Sequence, residues 1–237
     1  MGVYKINVSV RDLVSFSIPL KETRGSFLSL AMEGIEGHQL THELLKQQIG
    51  DTGNYKKERS VSLIFQHHKE YELHISGRLD GLIEINNNLS VCEIKTTDTS
   101  LELLEKDDNP AYWAQGRCYA YMLAKELGLE HITLLLIYHH RANRNIRSFE
   151  EHLNINELEK FFHSLVFPYI NSIKKQHEWQ LIRNQSIASL TFPFPEFRKG
   201  QRKMCASVYR AIRDGNKQVI QAPTGIGKTL GALFPAI

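Results

Sequence analysis

The sequence predicts an α/β protein, in which a mixed sheet flanked by helices is followed by one further strand, loop and helix. Three observations support this fold class. Apolar residues recur at helical spacing over 27–48, alternation with period two begins at Ser60, and a glycine-rich loop at 222–229 follows an apolar segment and precedes a predicted helix. With 237 residues, 42% of them hydrophobic and 23% charged, the chain can form one or two globular domains with a sizeable core.

Two helices are predicted ahead of the sheet. Ser9, with Asp12 three residues later, is typical of a helix start and predicts a short helix over 10–16. The second helix is predicted over 27–48, although two glycines inside it weaken the pattern. Its core candidates are Leu30, Leu40, Leu44 and Leu45.

From Ser60 the period-two pattern predicts an antiparallel meander of four strands. The segment Asn86-Asn87-Asn88 predicts a tight turn between the last two strands, because asparagine tolerates the backbone conformations that such turns need. The predicted strands are 61–66, 71–76, 79–85 and 89–95.

The remainder of this domain is predicted as helix, strand and helix. Pro110 suits the first turn of a helix that runs to about Leu127. The nearly continuous apolar run 132–139 predicts a buried strand, and a second long helix is predicted over 155–176. The mixed α/β domain is expected to end there.

A linker is predicted next. The helical pattern stops after Arg183, and Phe192-Pro193-Phe194-Pro195 places two prolines within four residues. We therefore place a domain boundary near Ser186, which gives domains of 1–185 and 186–237.

In the second domain a basic helix is predicted from Lys199, with Met204, Val208 and Ile212 on its buried stripe. Residues 218–221 are predicted as the strand that leads into the glycine-rich loop.

Composition and charge limit the classes of protein to consider. The net charge of +3 permits a polyanionic partner without requiring one. No apolar stretch is long enough to span a bilayer, and the first residues lack the apolar core of a secretory signal, so we expect a cytoplasmic protein with no membrane partner. Cys92, Cys118 and Cys205 are far apart and odd in number, which argues against a disulfide framework or a four-cysteine iron–sulfur site.

Three side chains in the meander suggest a metal-dependent hydrolytic site. Glu93 and Lys95 project from the same side of their strand, and the preceding turn can bring Asp80 within reach of Glu93. Two converging carboxylates suit Mg²⁺ or Mn²⁺, which can activate water and polarise a phosphodiester. Lys95 would supply a fixed positive charge to the reacting groups.

With residues elsewhere in the chain, this pattern resembles the PD-(D/E)xK nucleases, and within them the RecB-like branch. That branch adds a helical histidine before the strands, matched here by His38, and a Gln-x-x-x-Tyr on the following helix, matched by Gln115 and Tyr119. The last two are one helical turn apart, so they could face the site or the DNA backbone, or simply pack on the sheet. The resemblance covers about residues 1–180 and implies a restriction-endonuclease-like mixed sheet.

The resemblance also implies residue roles. His38, Asp80 and Glu93 would be the metal ligands, and Lys95 the catalytic base or electrostatic stabiliser. The sequence departs from the pattern at Leu79, where the proline that gives the superfamily its name is missing. It also lacks the cysteines for the iron–sulfur cluster that many relatives in this branch contain.

Other histidine patterns are less informative. For His38 itself the alternative is a capping or surface residue near a glycine. His42, four residues later, could suggest zinc, but Gln39 stands where a zinc peptidase needs its general-base glutamate. The pairs His67-His68 and His139-His140 are interpreted as polar residues at strand ends.

The glycine-rich loop matches the Walker A pattern, with alanine in place of the first glycine. Its backbone N–H groups would hold the phosphates of ATP, Lys228 would contact the β- and γ-phosphates, and the Thr229 hydroxyl would bind Mg²⁺. The predicted nucleotide-binding residues of the loop are Ala222, Pro223, Thr224, Gly225, Ile226, Gly227, Lys228 and Thr229.

This loop and the segment Phe197-Arg198-Lys199-Gly200-Gln201 together resemble the opening of a superfamily 2 helicase of the DinG/XPD-like group, over about residues 192–237. The resemblance implies the first strand, loop and helix of a RecA-like P-loop domain, in which Gln201 contacts the adenine of ATP. Because only eight residues follow the loop, we expect a truncated ATPase domain that does not turn over ATP.

The two resemblances predict a fragment of an ATP-dependent DNA helicase–nuclease, acting in DNA repair on DNA that is single-stranded or has single-stranded ends. One alternative is a catalytically silent DNA-binding module, which the clustered carboxylates argue against because they would face a polyanion. Another is an ATPase unconnected to nucleic acid. A basic run argues against it, although that run could also be a solvated helix face: Arg198, Lys199, Arg202, Lys203, Arg210 and Arg213.

Overall fold

The computed structural model describes residues 3–18, 27–67 and 70–237, and the side chains of 27–35 are not among the described ones. The chain divides into two compact units, Met1–Ile173 and Lys174–Ile237. None of the described helices is long and apolar enough to cross a membrane.

The first unit is built on a six-stranded mixed sheet in the order β1-β3-β4-β5-β6, with β2 also paired to β3. β1 is parallel to β3 and β4 is parallel to β5, whereas the other neighbours are antiparallel. The strands are β1 Tyr4–Ser9, β2 Asn54–His67, β3 Tyr71–Ile85, β4 Asn88–Thr97, β5 His131–His140 and β6 Ile146–Asn154.

The central strand differs from its prediction. The predicted strands 71–76 and 79–85 are one continuous strand, because β2 pairs with both sides of the expected break, including Gly77 and Arg78. The turn that follows is confirmed: Asn86 and Asn87 have φ angles of 51° and 64°, as a two-residue hairpin turn requires. The outer strands β1 and β6 were not predicted.

The helices largely follow the predictions, except that the helix predicted over 155–176 continues to Ala188, past Arg183 where the helical pattern was expected to stop. Ser9 caps the first helix, its Oγ accepting the backbone N–H of Asp12 at 3.0 Å. Pro110 begins the third helix, and Gly128, with a φ of 68°, ends it. The helices are α1 Val10–Ser17, α2 Phe27–Ile49, α3 Pro110–Leu127, α4 Ile155–Ala188, α5 Gln201–Arg213 and α6 Lys228–Leu233.

Helices cover both faces of the sheet. The main core lies between the sheet, α1, α3 and the first half of α4, and includes Leu79, Tyr121 and Phe162. A smaller core joins α2 to the other face of the sheet, where Leu45 and Ile49 contact Ile83, Cys92, Ile94 and Ile137. Of the predicted core leucines of α2, Leu45 is buried, Leu40 and Leu44 are half-buried, and the side chain of Leu30 lies outside the described residues. α4 passes both residue 173 and Ser186, so the boundary near Ser186 stays a prediction.

The second unit corrects two predictions. Residues 218–221 form no strand, and Val219 is 99% exposed, because no described residue of this unit offers a neighbouring strand. Ile212, expected on the buried stripe of α5, is 54% exposed. The buried residues of α5 are Gln201 and Cys205, and Gly231 of α6 lies close to Gln201 and Met204 in the first turn of α5.

Candidate functional site

A gap in the sheet lies at the centre of the first unit. On one edge of β3, β1 pairs with the segment 71–76 and β4 pairs with 81–85. Among the described residues, no strand pairs with 77–80 on that edge. At the end of this gap, Asp80 Oδ2 accepts the backbone N–H of Ile94 at 2.8 Å. The carboxylate therefore replaces a strand partner and is fixed where β3 and β4 diverge.

Glu93 and Lys95 lie beside this gap, on the face that α3 covers. Lys95 Nζ donates to Glu93 Oε1 at 2.5 Å. Glu93 is only 1% exposed, and its second oxygen, Oε2, is buried with no hydrogen-bond partner within the described part of the chain. A buried carboxylate oxygen without a partner is costly, so it marks a place where a ligand could bind.

Burial sets the charges of this pair. It raises the pKa of Glu93 to about 7, with Lys95 opposing the rise and Asp80 adding to it. Although burial opposes the charge on Lys95, Glu93 and Asp80 raise the pKa of that ammonium above its ordinary value. Lys95 is therefore a cation at neutral pH.

Two residues of α3 complete this side of the site. Gln115 Oε1 accepts from Lys95 Nζ at 3.5 Å, and Gln115 Nε2 donates to the Tyr119 hydroxyl at 3.2 Å. The Tyr119 ring lies against Gly77, where an added Cβ would come within 2.5 Å of Tyr119 Cε1. The predicted Gln-x-x-x-Tyr pair thus contacts the site itself, and glycine at 77 leaves room for the tyrosine.

His38 of α2 approaches from the opposite face, with Nδ1 3.8 Å from Asp80 Oδ1. Burial lowers the pKa of His38, although Asp80 opposes the shift, so the imidazole is neutral at pH 7 and can act as a metal ligand. His42 is instead buried and bonded through Nδ1 to the Tyr55 hydroxyl. His139 ends β5 as predicted and its Nδ1 lies 3.1 Å from Thr41 Oγ1, whereas His68 lies outside the described residues.

Two of the three predicted metal ligands, His38 and Asp80, lie 3.8 Å apart, and the charge of Asp80 acts on Glu93. His38, Asp80 and Glu93 offer the nitrogen and oxygen donors that Mg²⁺ or Mn²⁺ accepts, and the unpartnered Glu93 Oε2 fits such an ion. Within the described ranges, however, no three His, Cys, Asp or Glu side chains are close enough together to form a metal-binding group.

Two residues near the site were missed from the sequence. Tyr112, one turn before Gln115 on α3, places its ring centroid 4.9 Å from Lys95 Nζ, and the i, i+3 spacing could have suggested it. Glu58 of β2 lies opposite Asp80, where the pairing of β2 with β3 is interrupted; it has a left-handed φ of 51° and forms an ion pair with Arg78 at 3.2 Å. The sequence contains no signal for this local interruption of the pairing.

In the second unit, the predicted phosphate loop wraps around its own lysine. Gly225 and Gly227 have φ angles of 80° and 79°, which favour glycine, and α6 begins directly after them at Lys228. Lys228 Nζ donates to the carbonyl oxygens of Ala222 at 3.2 Å and Pro223 at 3.0 Å. The loop therefore curves around a cation.

Gln201 is buried beside this loop. Its Nε2 donates to the carbonyl of Gly227 at 3.2 Å, and its Oε1 accepts the backbone N–H of Arg198 at 3.1 Å. A cavity of about 400 Å³ lies next to it, lined in part by Phe194, Glu196 and the same Gln201 and Gly227. The position suits a nucleotide, and the contact of Gln201 with adenine stays a prediction.

The comparison with protein-family models found no match. Over 46 residues the chain is 44% identical to a probable ATP-dependent helicase of Methanocaldococcus jannaschii, a match that covers 19% of this chain and 7% of the helicase. The chain therefore spans only a small part of that relative. The crystal structure of SSO0001 is 18% identical, with a TM-score of 0.42, over 68% of this chain and 75% of that chain.

The local match supports a relationship to ATP-dependent helicases. The predicted α/β class with a mixed sheet and flanking helices is confirmed.

Proposed function

We propose that the first domain, residues 1–185, hydrolyses DNA phosphodiesters with the help of a divalent metal ion, and that it is joined to an ATP-binding helicase domain. The observation that carries the proposal is the buried, unpartnered Glu93 Oε2, whose carboxylate is bonded by Lys95 and lies within the electrostatic influence of Asp80. A core packed only for stability has no need of an unpaired carboxylate oxygen.

His38, Asp80 and Glu93 would hold Mg²⁺ or Mn²⁺. When bound, the ion would supply an activated water and offset negative charge on the phosphate. Asp80 is the best fixed of the three ligands, because its Oδ2 bonds the backbone of β4 while Oδ1 remains on the side of His38.

Lys95 would act as an electrostatic stabiliser rather than as the base. The neighbouring carboxylates raise the pKa of Lys95 against the effect of burial, so it keeps its proton at neutral pH and has no lone pair with which to take another. A fixed cation in a partly dry site stabilises charge that grows on phosphoryl oxygens. Gln115 and Tyr119 would be positioning residues, since both form the hydrogen-bond chain that ends on Lys95.

The substrate proposed is DNA that is single-stranded or has single-stranded ends, with DNA repair as the setting. The support is the resemblance of the first domain to RecB-like nucleases together with the helicase relationship of the chain, because a helicase exposes single strands for a nuclease to cut.

The test is cleavage of an end-labelled single-stranded oligonucleotide with Mg²⁺ or Mn²⁺ and no ATP. Wild-type protein should cut, and Glu93→Gln should stop cutting. Glu84→Gln, which changes an exposed carboxylate on β3, is the matched control and should cut normally. Unchanged cutting by Glu93→Gln would rule out the proposed site. DNA binding with no cutting in the presence of either metal ion would favour a silent DNA-binding module.

A second function, ATP binding at 222–229, is favoured by the loop geometry around Lys228 and by the helicase match. The test is binding of a fluorescent ATP analogue with Mg²⁺. Lys228→Ala should weaken binding and Lys217→Ala, a change of an exposed lysine on the preceding segment, should not. Equal binding by both variants would contradict the assignment.

A further inference from the structure

We infer that one face of α5 binds the phosphate backbone of nucleic acid, an inference that rests on the proposed function in taking nucleic acid as the partner. The surface, called here the α5 basic face, consists of Arg202, Lys203, Ala206, Tyr209, Arg210 and Arg213, all of them exposed. It belongs to the second unit, whereas the metal-ligand cluster belongs to the first.

Helix geometry gathers these side chains on one side. At 3.6 residues per turn, the six positions fall within an arc of about 120°. The buried residues of the same helix, Gln201 and Cys205, lie outside that arc. Gln201 contacts the phosphate loop through Gly227, so α5 presents one side to the loop and its cations to solvent.

The charge on this face is largely uncompensated. The 13 residues of α5 include four cations and no acidic residue. Arg213 pairs with Asp214 at 2.7 Å, whereas neither Arg202 nor Lys203 has an ion-pair partner among the described residues. Arg210 and Arg213 lie in the last turn, where cations favour the helix dipole, but Arg202 and Lys203 lie in the first turn, where they oppose it. Like charges on one face also repel each other, so helix stability does not account for the whole arrangement. It suits a polyanion, whose counterions the cations would release.

Nucleic acid fits this face better than a membrane does. Tyr209 is 55% exposed and falls between Arg202 and Lys203 on one side and the buried stripe on the other. An exposed aromatic ring beside arginines can stack on a base, whereas the face lacks the broad apolar surface with which a helix enters a lipid interface. From Arg202 to Arg213 the helix rises about 16 Å, the length of roughly five nucleotides of one duplex strand.

The test is the salt dependence of DNA binding by the full chain. A labelled single-stranded oligonucleotide is titrated in EDTA, which prevents cutting, at several salt concentrations. The slope of log K against log[salt] is negative, and its magnitude should decrease by up to about 2.8 when four cations are changed together to Gln: Arg202, Lys203, Arg210 and Arg213. Each phosphate of a single strand that is no longer neutralised accounts for about 0.7 of this decrease. A charge-matched control changes four exposed cations elsewhere to Gln: Arg11, Lys46, Lys175 and Lys217.

An equal decrease in the magnitude of the slope in both quadruple variants would overturn the inference, because it would show a general effect of net charge. Binding of the α5 basic face to phosphatidylserine-containing vesicles, with an unchanged DNA slope in the variant, would overturn it in favour of a membrane. Tyr209→Ala should weaken single-strand binding about tenfold and Tyr209→Phe should restore it. Unchanged DNA binding by Tyr209→Ala would show that Tyr209 does not stack on a base.

Failure of this inference can be told from failure of the nuclease proposal. Asp80→Ala should stop cutting without changing the salt slope. The quadruple α5 variant should change the slope but still cut when DNA is saturating. Retained binding of an ATP analogue by that variant would show that the second unit is still folded.

Discussion

The proposed metal site of the first unit and the predicted phosphate loop of the second are held in place in different ways. Asp80, Glu93 and Lys95 stand on strands that helices cover on both faces, and the backbone of Ile94 fixes Asp80 directly. The phosphate loop follows an extended segment that pairs with no described strand, and its shape depends on hydrogen bonds from Lys228 to the loop's own carbonyls.

This difference has consequences for the chemistry of each site. Burial in the first unit raises the pKa of Glu93 and lowers that of His38, so a charged group there needs a partner of opposite charge. In the second unit the loop lysine is exposed, so a nucleotide phosphate would take the place of the carbonyls that now bond it. We therefore expect the first site to keep its geometry without ligand and the second to be organised by its ligand.

The largest effect in this series is expected on the cleavage rate of the first unit, from Lys95→Ala. If Lys95 stabilises charge in the transition state, Lys95→Ala should slow cleavage roughly 100-fold or more, with metal and DNA binding largely intact. Single-turnover cleavage at saturating DNA measures this. Lys125→Ala, which changes a half-exposed lysine near the end of α3, is the control. A loss confined to DNA affinity would show that Lys95 only grips the substrate.

Lys228→Ala tests the independence of the two units. Loss of a charge-assisted contact to phosphate costs about 1.5–3 kcal/mol, which corresponds to a roughly ten- to hundredfold weaker affinity for ATP. Cleavage without ATP should be unchanged. If Lys228→Ala also stopped cutting, the two sites could not be treated as separate.

The pH dependence of metal binding should distinguish a buried carboxylate from an exposed one. Because the pKa of Glu93 is raised from 4.5 to about 7, metal must displace a proton from it below pH 7. Affinity for Mn²⁺ should therefore fall about tenfold for each unit as the pH decreases from 7 towards 5. Calorimetric titration at several pH values measures this, and constant affinity across that range would mean that Glu93 does not bind the ion.

Gly77→Ala should have the smallest effect of the series. The added Cβ would collide with the Tyr119 ring, so we expect a loss of about 1–3 kcal/mol in the free energy of unfolding and a modest loss of cleavage. Urea unfolding measures the first quantity. Tyr119→Leu in the same background should recover stability but not cleavage, and full recovery of both would show that Tyr119 has only a packing role.

Local signals in the sequence predicted much of the fold. The cap at Ser9, Pro110 at the start of α3 and the asparagine turn before β4 all depend on neighbouring residues alone, and all three are confirmed. β1 alternates apolar and polar residues and was overlooked, whereas β6 was missed because its charged residues interrupt the alternation. The break expected at Gly77 is absent because β2, a long-range partner, pairs across it.

The sequence predicted which side chains lie at the site, but not the strand pairing that holds them in place. Strand alternation placed Glu93 and Lys95 on one face, as the structure shows. The gap beside Asp80 arises from two strands that share one edge of β3, and the interrupted pairing at Glu58 depends on the long-range partner strand, so neither could be read from single residues. The roles of His38, Gln115 and Tyr119 stay predictions.

The most direct test of the central claim is single-turnover cleavage of a labelled single strand across a Mg²⁺ or Mn²⁺ titration, with wild type beside Asp80→Ala. We predict that wild-type cutting rises with metal to saturation, and that Asp80→Ala binds the oligonucleotide normally but does not cut at any metal concentration. Equal cutting by Asp80→Ala would contradict the assignment of this site, and absence of cutting by wild type under every metal condition would contradict the nuclease itself.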